Sequence, residues 1–331
     1  MNSSRLRAGL PRRAWLLAAC CAALASPAHA QVPDYPSRPI RLIVPNPPGG
    51  VTDLLGRIVS ERLAALYGQP VVVDNRAGAS GHLGAQQVAK SAADGYTLLL
   101  GTIGIHAAHA SYRKLGYDPA AELTPVTILA QSPNVVLVPD ASPLRSFADL
   151  LARAKADPAS LNYATAGPGS SVHMVTALFE TISGARVNYV PYKGSGPAMV
   201  DLIGGQVQVM FENLPSAIPH IRSGRVRALA VTGDRRDPRL PAVPTIAESG
   251  LPDYAAVSWF TVAAPGGTPP PVIDKLARDL KQVMAGPDVV AQLDKLGATL
   301  VLGSPEQARR FFATETAKWN RVIEATRLQL D

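Results

Sequence analysis

The 331-residue chain predicts an α/β fold with largely parallel sheets, built as two lobes joined by crossing strands. Three observations lead there. Short apolar strand-like runs alternate with amphipathic helix-like runs along most of the sequence. Two longer β-like stretches, residues 126–138 and 255–263, lie far apart and each can pass from one lobe to the other. Three Gly-rich loops each follow a strand-like run and open a helix, which is where ligands bind in such sheets. The resulting division assigns residues 1–30 to an export signal, 31–130 and 258–331 to a discontinuous first lobe, and 131–257 to the second.

The first element is the signal. Arg5, Arg7, Arg12 and Arg13 give a basic start, residues 14–25 are apolar, and Ala28-His29-Ala30 fits a small-residue cleavage site. Cleavage after Ala30 and a periplasmic destination are expected. The apolar run is too short to cross a bilayer, and no later segment is long and apolar enough. Leu17-Ala18-Ala19-Cys20 offers an alternative, lipidation at Cys20, but leaves a very short apolar region before it. Both cysteines, Cys20 and Cys21, fall in this segment, so the chain beyond Ala30 has no disulfide or thiol chemistry.

Beyond the signal, a strand at Ile40–Val44 runs into Pro47-Pro48-Gly49-Gly50-Val51-Thr52-Asp53. Thr52 is a good N-cap, and Leu54, Leu55, Ile58, Val59, Leu63 and Leu66 recur at helical spacing until Gly68. Residues 71–73 form a strand, 83–92 a helix and 96–100 a third strand. The first β-like crossing run is interrupted by Ser132-Pro133, and a proline there cannot sit simply in a central ladder, so a kinked crossover is expected.

The second lobe repeats the alternation. A helix at Phe147–Ala156 and a strand at residues 161–164 lead to Ala166-Gly167-Pro168-Gly169-Ser170-Ser171, which opens a helix stopped by Gly184. A strand at 187–190 leads to Tyr192-Lys193-Gly194-Ser195-Gly196-Pro197 and a helix to Ile203. Residues 207–211 and Val226–Val231 are strands. After the second crossing, helices at 271–284 and Pro305–Thr326 are expected to return to the first lobe.

Charge excludes some partners. The sequence has 32 basic and 25 acidic residues, net +7; four of the basic residues and none of the acidic ones lie in 1–30, which leaves +3. There is no block of like charge and no aromatic–basic interleaving, so no nucleic-acid partner is expected. Catalytic patterns are missing too: no G-x-S-x-G elbow, no phosphate loop, no H-E-x-x-H. His106 and His109 have no nearby acidic pair to complete a metal site. Neither enzyme chemistry nor a cofactor is expected. One enzymatic alternative is an exported hydrolase using Ser170 or Ser171 with His173 beside an oxyanion site, against which stand the crowded spacing and the lack of a carboxylate partner. For His173, ligand contact and simple packing at a helix start remain equally open.

What the Gly-rich loops do offer is anion binding. Glycine lets the backbone approach a ligand, and a helix start presents free N–H groups at a positive dipole end. Each such contact contributes about 0.3–1 kcal/mol when exposed and up to about 2 when partly buried. Two helix starts with added hydroxyl bonds, desolvated by lobe closure, reach micromolar affinity, about −8 kcal/mol, without an arginine clamp.

Four segments carry a family resemblance: YPSRPIRLIVPNPPGGVTDLLGR, VVVDNRAGASGHLGAQQVAKSAADGYTLLLGT, LNYATAGPGSSVHMVTALF and VPYKGSGPAMVDLIGGQVQVMFENLPSAIPHIRSGRVRALAVT. In this order they resemble the periplasmic solute-binding proteins of tripartite tricarboxylate transporters, the Bug receptors, over essentially the whole chain beyond the signal. The resemblance implies a Venus-flytrap fold and a small carboxylate held by two strand–turn–helix loops. Here those loops are Pro48, Gly49, Gly50, Thr52 and Asp53, and Ala166, Gly167, Gly169, Ser170, Ser171 and His173. Thr102 and His106 match a segment bordering the cleft, Lys193 and Asn213 match segments of the second lobe, and Trp259 falls where the second crossing nears it. The implied partners are the membrane subunits of such a transporter, with a sensor kinase as an alternative, and a monomer is expected. Asn46, Pro168 and Glu212 depart from the family pattern, which leaves the backbone grip intact and the rest of the ligand open.

Overall fold

The computed structural model describes residues 35–330; the signal, Cys20 and Ala30 lie outside them. The described residues form a mixed α/β fold on one ten-stranded sheet. On one side, β1 (Ile40–Val44) lies between β2 (Val71–Asn75) and β3 (Thr97–Thr102), all parallel. On the other, β5 (Asn162–Thr165) lies parallel between β6 (Asn188–Pro191) and β7 (Val209–Asn213).

Two antiparallel strands join these sides. β4 (Leu123–Pro139) pairs with β9 (Val257–Pro265) as far as Pro133 opposite Val257. From Asn134 it pairs instead with β7, and from Val135 also with β8 (Val226–Val231). Pro133 therefore stands where the ladder changes partners, the position at which a missing N–H is tolerated. The expected boundary at 130/131 falls inside β4, and that at 257/258 at the start of β9.

Helices follow the strands as the loops require. α1 (Val51–Tyr67) follows β1 and ends at Gly68 in the left-handed conformation. α2 (His82–Ala89) precedes β3, and the single-turn α3 (Ile103–His106) follows it. A short α4 (Pro119–Glu122) leads into β4. In the second lobe α5 (Phe147–Ala156) opens on a capping box from Ser146 and Asp149. α6 (Ser171–Ser183) follows β5 and ends at Gly184, also left-handed. α7 (Ser195–Ile203) follows β6, and α8 (Leu214–Arg222), which lies outside the expected elements, follows β7.

Alternation sets the second lobe's two cores. Tyr163 and Phe211 face Phe147 and Phe179, while Ala164 and Met210 face Met199 and Leu202. Of the two helices expected to return to the first lobe, α9 (Pro270–Met284) packs on α1. After α10 (Pro287–Leu296) and the short β10 (Thr299–Leu300), α11 (Pro305–Thr326) touches both lobes: it lies along α6, with Trp319, Val322 and Ile323 in the Phe147–Phe179 core, and its Phe312 stacks on His106. Fully burying each such large side chain contributes about 1.5–3 kcal/mol, which holds α11 against both lobes.

Candidate ligand-binding site

The first loop leaves β1 and enters α1 at Gly50, not at the expected Thr52; Gly50 is the extended N-cap residue and no side chain caps the helix. The N–H groups of the first turn are therefore free of a cap. Asp53, nearly fully buried, holds this loop from behind. Its Oδ2 accepts from Gly49 N–H at 3.1 Å and from Arg57 Nε at 3.0 Å, and its Oδ1 accepts from Asn75 Nδ2 at 3.1 Å. Burial alone pushes this carboxyl up, but the Arg57, Gly49 and Asn75 donors together hold it below the usual carboxylate range. Thr52 Oγ1 donates to Asn46 Oδ1 at 3.2 Å. Gly49 takes φ of 92°, a turn that only glycine enters freely.

The second loop is built by a histidine. Ser170 is the N-cap of α6, its Oγ accepting from His173 N–H at 3.2 Å. His173 Nδ1 accepts from Gly169 N–H at 2.8 Å, and the ring meets Tyr189 edge-on at 4.5 Å between centroids. Burial holds the imidazole neutral, its pKa down to about 4. The third loop enters α7 at Gly194, again with no side-chain cap.

These loops face one another across the sheet's carboxyl ends. A Cβ on Gly194 would lie 3.3 Å from Pro47 Cγ, and a Cβ on Gly104 would lie 2.6 Å from the Gly169 carbonyl oxygen. Ser80 Oγ and Tyr112 OH, from the first lobe, both donate to the Pro168 carbonyl of the second, Tyr112 at 3.2 Å. Between them lies a cavity of about 90 Å³.

Nine of the expected site residues line that cavity: Pro48, Gly50, Thr52, Thr102, Ala166, Ser170, Ser171, Lys193 and Asn213. Gly167 lines a second, larger cavity that shares its wall. The five others, Gly49, Asp53, His106, Gly169 and His173, line neither cavity. Gly49 and Asp53 brace the first loop and His173, with Gly169, braces the second: Gly49 N–H donates to Asp53, and Gly169 N–H to His173. His106 stacks on Phe312 at 4.5 Å and on Trp259 at 6.4 Å, buried away from the cavity, with burial holding its pKa near 3. Trp259 likewise turns away, donating to Glu315 Oε2 at 2.7 Å, and its neighbour Phe260 lines the cavity instead. Strand alternation was the signal that would have exchanged them.

Asn46, Ser80 and Ser195 also line the cavity and were not among the expected site residues. Ser80 and Ser195 each lie in a glycine-rich loop, which was the available hint. Behind the cavity, the fully buried Glu212 accepts from Asn213 N–H at 2.9 Å and from Asn213 Nδ2 at 3.4 Å. Burial pushes the Glu212 carboxyl up to about 7, tempered by Ser195, Asn213 and Ser216; its Oε2 has no partner of hydrogen-bond geometry. Asn213 stands at the N-cap of α8 without capping it, and its Oδ1 is likewise unpartnered. Lys193 forms no ion pair among the described residues.

The family model described as the tripartite tricarboxylate transporter family receptor matches residues 55–328. The chain belongs to this family. The receptor is 43% identical over 311 residues to Protein BugT of Bordetella pertussis (strain Tohama I), covering 93% of this chain and 95% of BugT. It is similar to the solved structure of R. palustris Rpa4515 with adipate, at 42% identity and a TM-score of 0.85 over 88% of this chain and 98% of that one. It is also similar to MatC (Rpa3494) from Rhodopseudomonas palustris with bound malate, at 33% identity and a TM-score of 0.82, covering 87% of this chain and 100% of MatC. These likenesses establish the two-lobed α/β binding-protein fold and a non-enzymatic, solute-binding family. The geometry does not support the hydrolase alternative: among the described residues neither Ser170 nor Ser171 bonds its hydroxyl to the His173 ring, whose Nδ1 is taken by Gly169 N–H. Among the described residues no helix is long and apolar enough to cross a membrane, and no cluster of His, Cys, Asp or Glu suits a metal ion.

Proposed function

We propose that this receptor is exported to the periplasm, with cleavage after Ala30, and there captures a small carboxylate as a monomer. It then delivers the ligand to the membrane subunits of a tripartite tricarboxylate-type transporter. The observation that carries the reading is the pair of helix starts, at Val51 and Ser171, that open on one small cavity from opposite lobes. The uncapped N–H groups at the start of α1, the hydroxyls of Thr102 and Ser171, and the Lys193 ammonium are donors suited to a carboxylate. The adipate and malate seen with Rpa4515 and MatC support the ligand class.

Closure follows from the same geometry. Pro47 against Gly194, and Ser80 and Tyr112 against Pro168, are contacts between lobes that a bound anion stabilises from within. Calorimetry on protein stripped by denaturation and refolding, against di- and tricarboxylates, amino acids and aromatic acids, tests the reading. Micromolar binding of at least one carboxylate is expected; refolded, native protein that binds none of them overturns it.

A further inference from the structure

We infer that a second, apolar compartment, lined by Leu330 and Tyr112, selects carboxylates with an extended apolar body over short ones. The inference rests on the carboxylate reading above and goes on to name the ligand's shape.

The cavity between the helix starts, at about 90 Å³, adjoins a second of about 580 Å³. The two share Asn46, Pro47, Ser80, Ala166, Lys193 and Gly194 as a common wall. The larger one is bounded by apolar groups, chiefly Pro45, Ala79, Tyr112, Pro168 and Leu330. Lys193, at the junction, is the one charged side chain among its described lining residues. A ligand whose carboxylate reaches the helix starts therefore directs its remaining atoms into a space that offers apolar contact.

Leu330 is brought there by its own set of bonds. α11 ends at Arg327, whose left-handed φ of 52° turns the chain back. Leu330 N–H then donates to the Ser111 carbonyl at 2.7 Å, and Arg113 N–H donates to the Leu330 carbonyl at 3.0 Å. The Arg113 guanidinium adds two bonds to Gln329 Oε1, at 2.8 and 3.1 Å. The Leu330 side chain reaches under the second loop, where a Cβ on Gly169 would lie 3.2 Å from Leu330 Cδ1 and 3.4 Å from Tyr112 Cε2. Tyr112 is held in turn by its hydroxyl on Pro168. Both walls are thus fixed before a ligand arrives, and apolar ligand atoms placed against them lose contact with water at little ordering cost.

Calorimetry with refolded protein and the saturated α,ω-dicarboxylate series from four to ten carbons tests this. Affinity is expected to rise about two- to fourfold per added methylene before levelling off. Leu330→Ala, and Ala77→Phe as a second variant that fills the compartment, are expected to weaken the longest ligands about tenfold. Both should leave the four-carbon acid unchanged. Affinity that is flat or falls with length, or variants that weaken short and long ligands alike, overturns the inference while leaving the receptor reading intact. Binding of no member by natively folded protein overturns both.

Discussion

His173 Nδ1 accepts a hydrogen bond from Gly169 N–H at 2.8 Å, so the side chain that most resembles a catalytic base is a strut for the ligand loop. The bond requires the neutral ring with its proton on Nε2, and burial keeps the ring neutral to about pH 4. His173→Leu leaves a buried N–H without a partner. The expected loss is about 1–2 kcal/mol of stability by urea unfolding and about tenfold in ligand affinity by calorimetry. In the parent protein, ligand affinity should show no inflection from this group between pH 5.5 and 8.

Asp53 performs the matching task in the first loop. Removing its carboxylate frees Gly49 N–H, Arg57 and the Asn75 amide at once. Asp53→Ala is expected to lower stability by about 1–3 kcal/mol and to weaken ligand binding, although Asp53 itself does not line the cavity. Thermal unfolding with calorimetry on the same sample checks both, and unchanged affinity would remove Asp53 from the positioning role.

Gly104 sits where the lobes touch, a would-be Cβ lying 2.6 Å from the Gly169 carbonyl oxygen. Gly104→Ala is expected to obstruct closure more than folding. Overpacking of this size costs about 1–3 kcal/mol, and here it falls on the ligand-bound form. Ligand affinity should drop about tenfold or more with little change in the unfolding midpoint of ligand-free protein. A midpoint that falls while affinity stays unchanged would show the contact to be part of the fold and not of closure.

Glu212 makes stability depend on pH in an unusual direction. Its carboxyl has a pKa of about 7 when folded, against an ordinary 4.5. Between these values the native state keeps a proton that the unfolded chain has lost, so this group's contribution falls as pH rises from about 4.5 to about 7. Glu212→Gln keeps the acceptor for Asn213 N–H and removes the titration. The variant should match the parent near pH 4 and exceed it at pH 8 by on the order of 2–3 kcal/mol, measured by urea unfolding at the two pH values.

Much of the fold was legible because its signals are local. Ile40–Val44, Phe147–Ala156, Val226–Val231 and Pro305–Thr326 coincide with their expected spans, since periodicity, caps and breakers lie within each segment. Gly68 and Gly184 ended helices as expected because each adopts a left-handed turn. α8 and α10 lay outside the expected elements; Pro215 and Pro287 sit in their first turns, where proline is compatible with a helix, but Pro219 lies inside α8 and breaks its pattern. The start of α1 was misplaced by two residues because Thr52, a good cap by type, instead donates to Asn46.

By itself the sequence determined the alternating α/β order, the Gly-rich helix starts and the family, all of which depend on neighbours along the chain. Only the tertiary structure decided which polar side chains face the cavity and which stand behind it. Asp53, His106 and His173 have the residue types of ligand contacts, yet each is satisfied or buried elsewhere by groups distant in sequence or by its own loop. Leu330 carries no sequence signal at all; it reaches the cavity because Ser111 and Arg113 hold its backbone there, a pairing across more than 200 residues. A side chain's orientation is set by what packs around it, and that packing exists only once the chain has closed on itself.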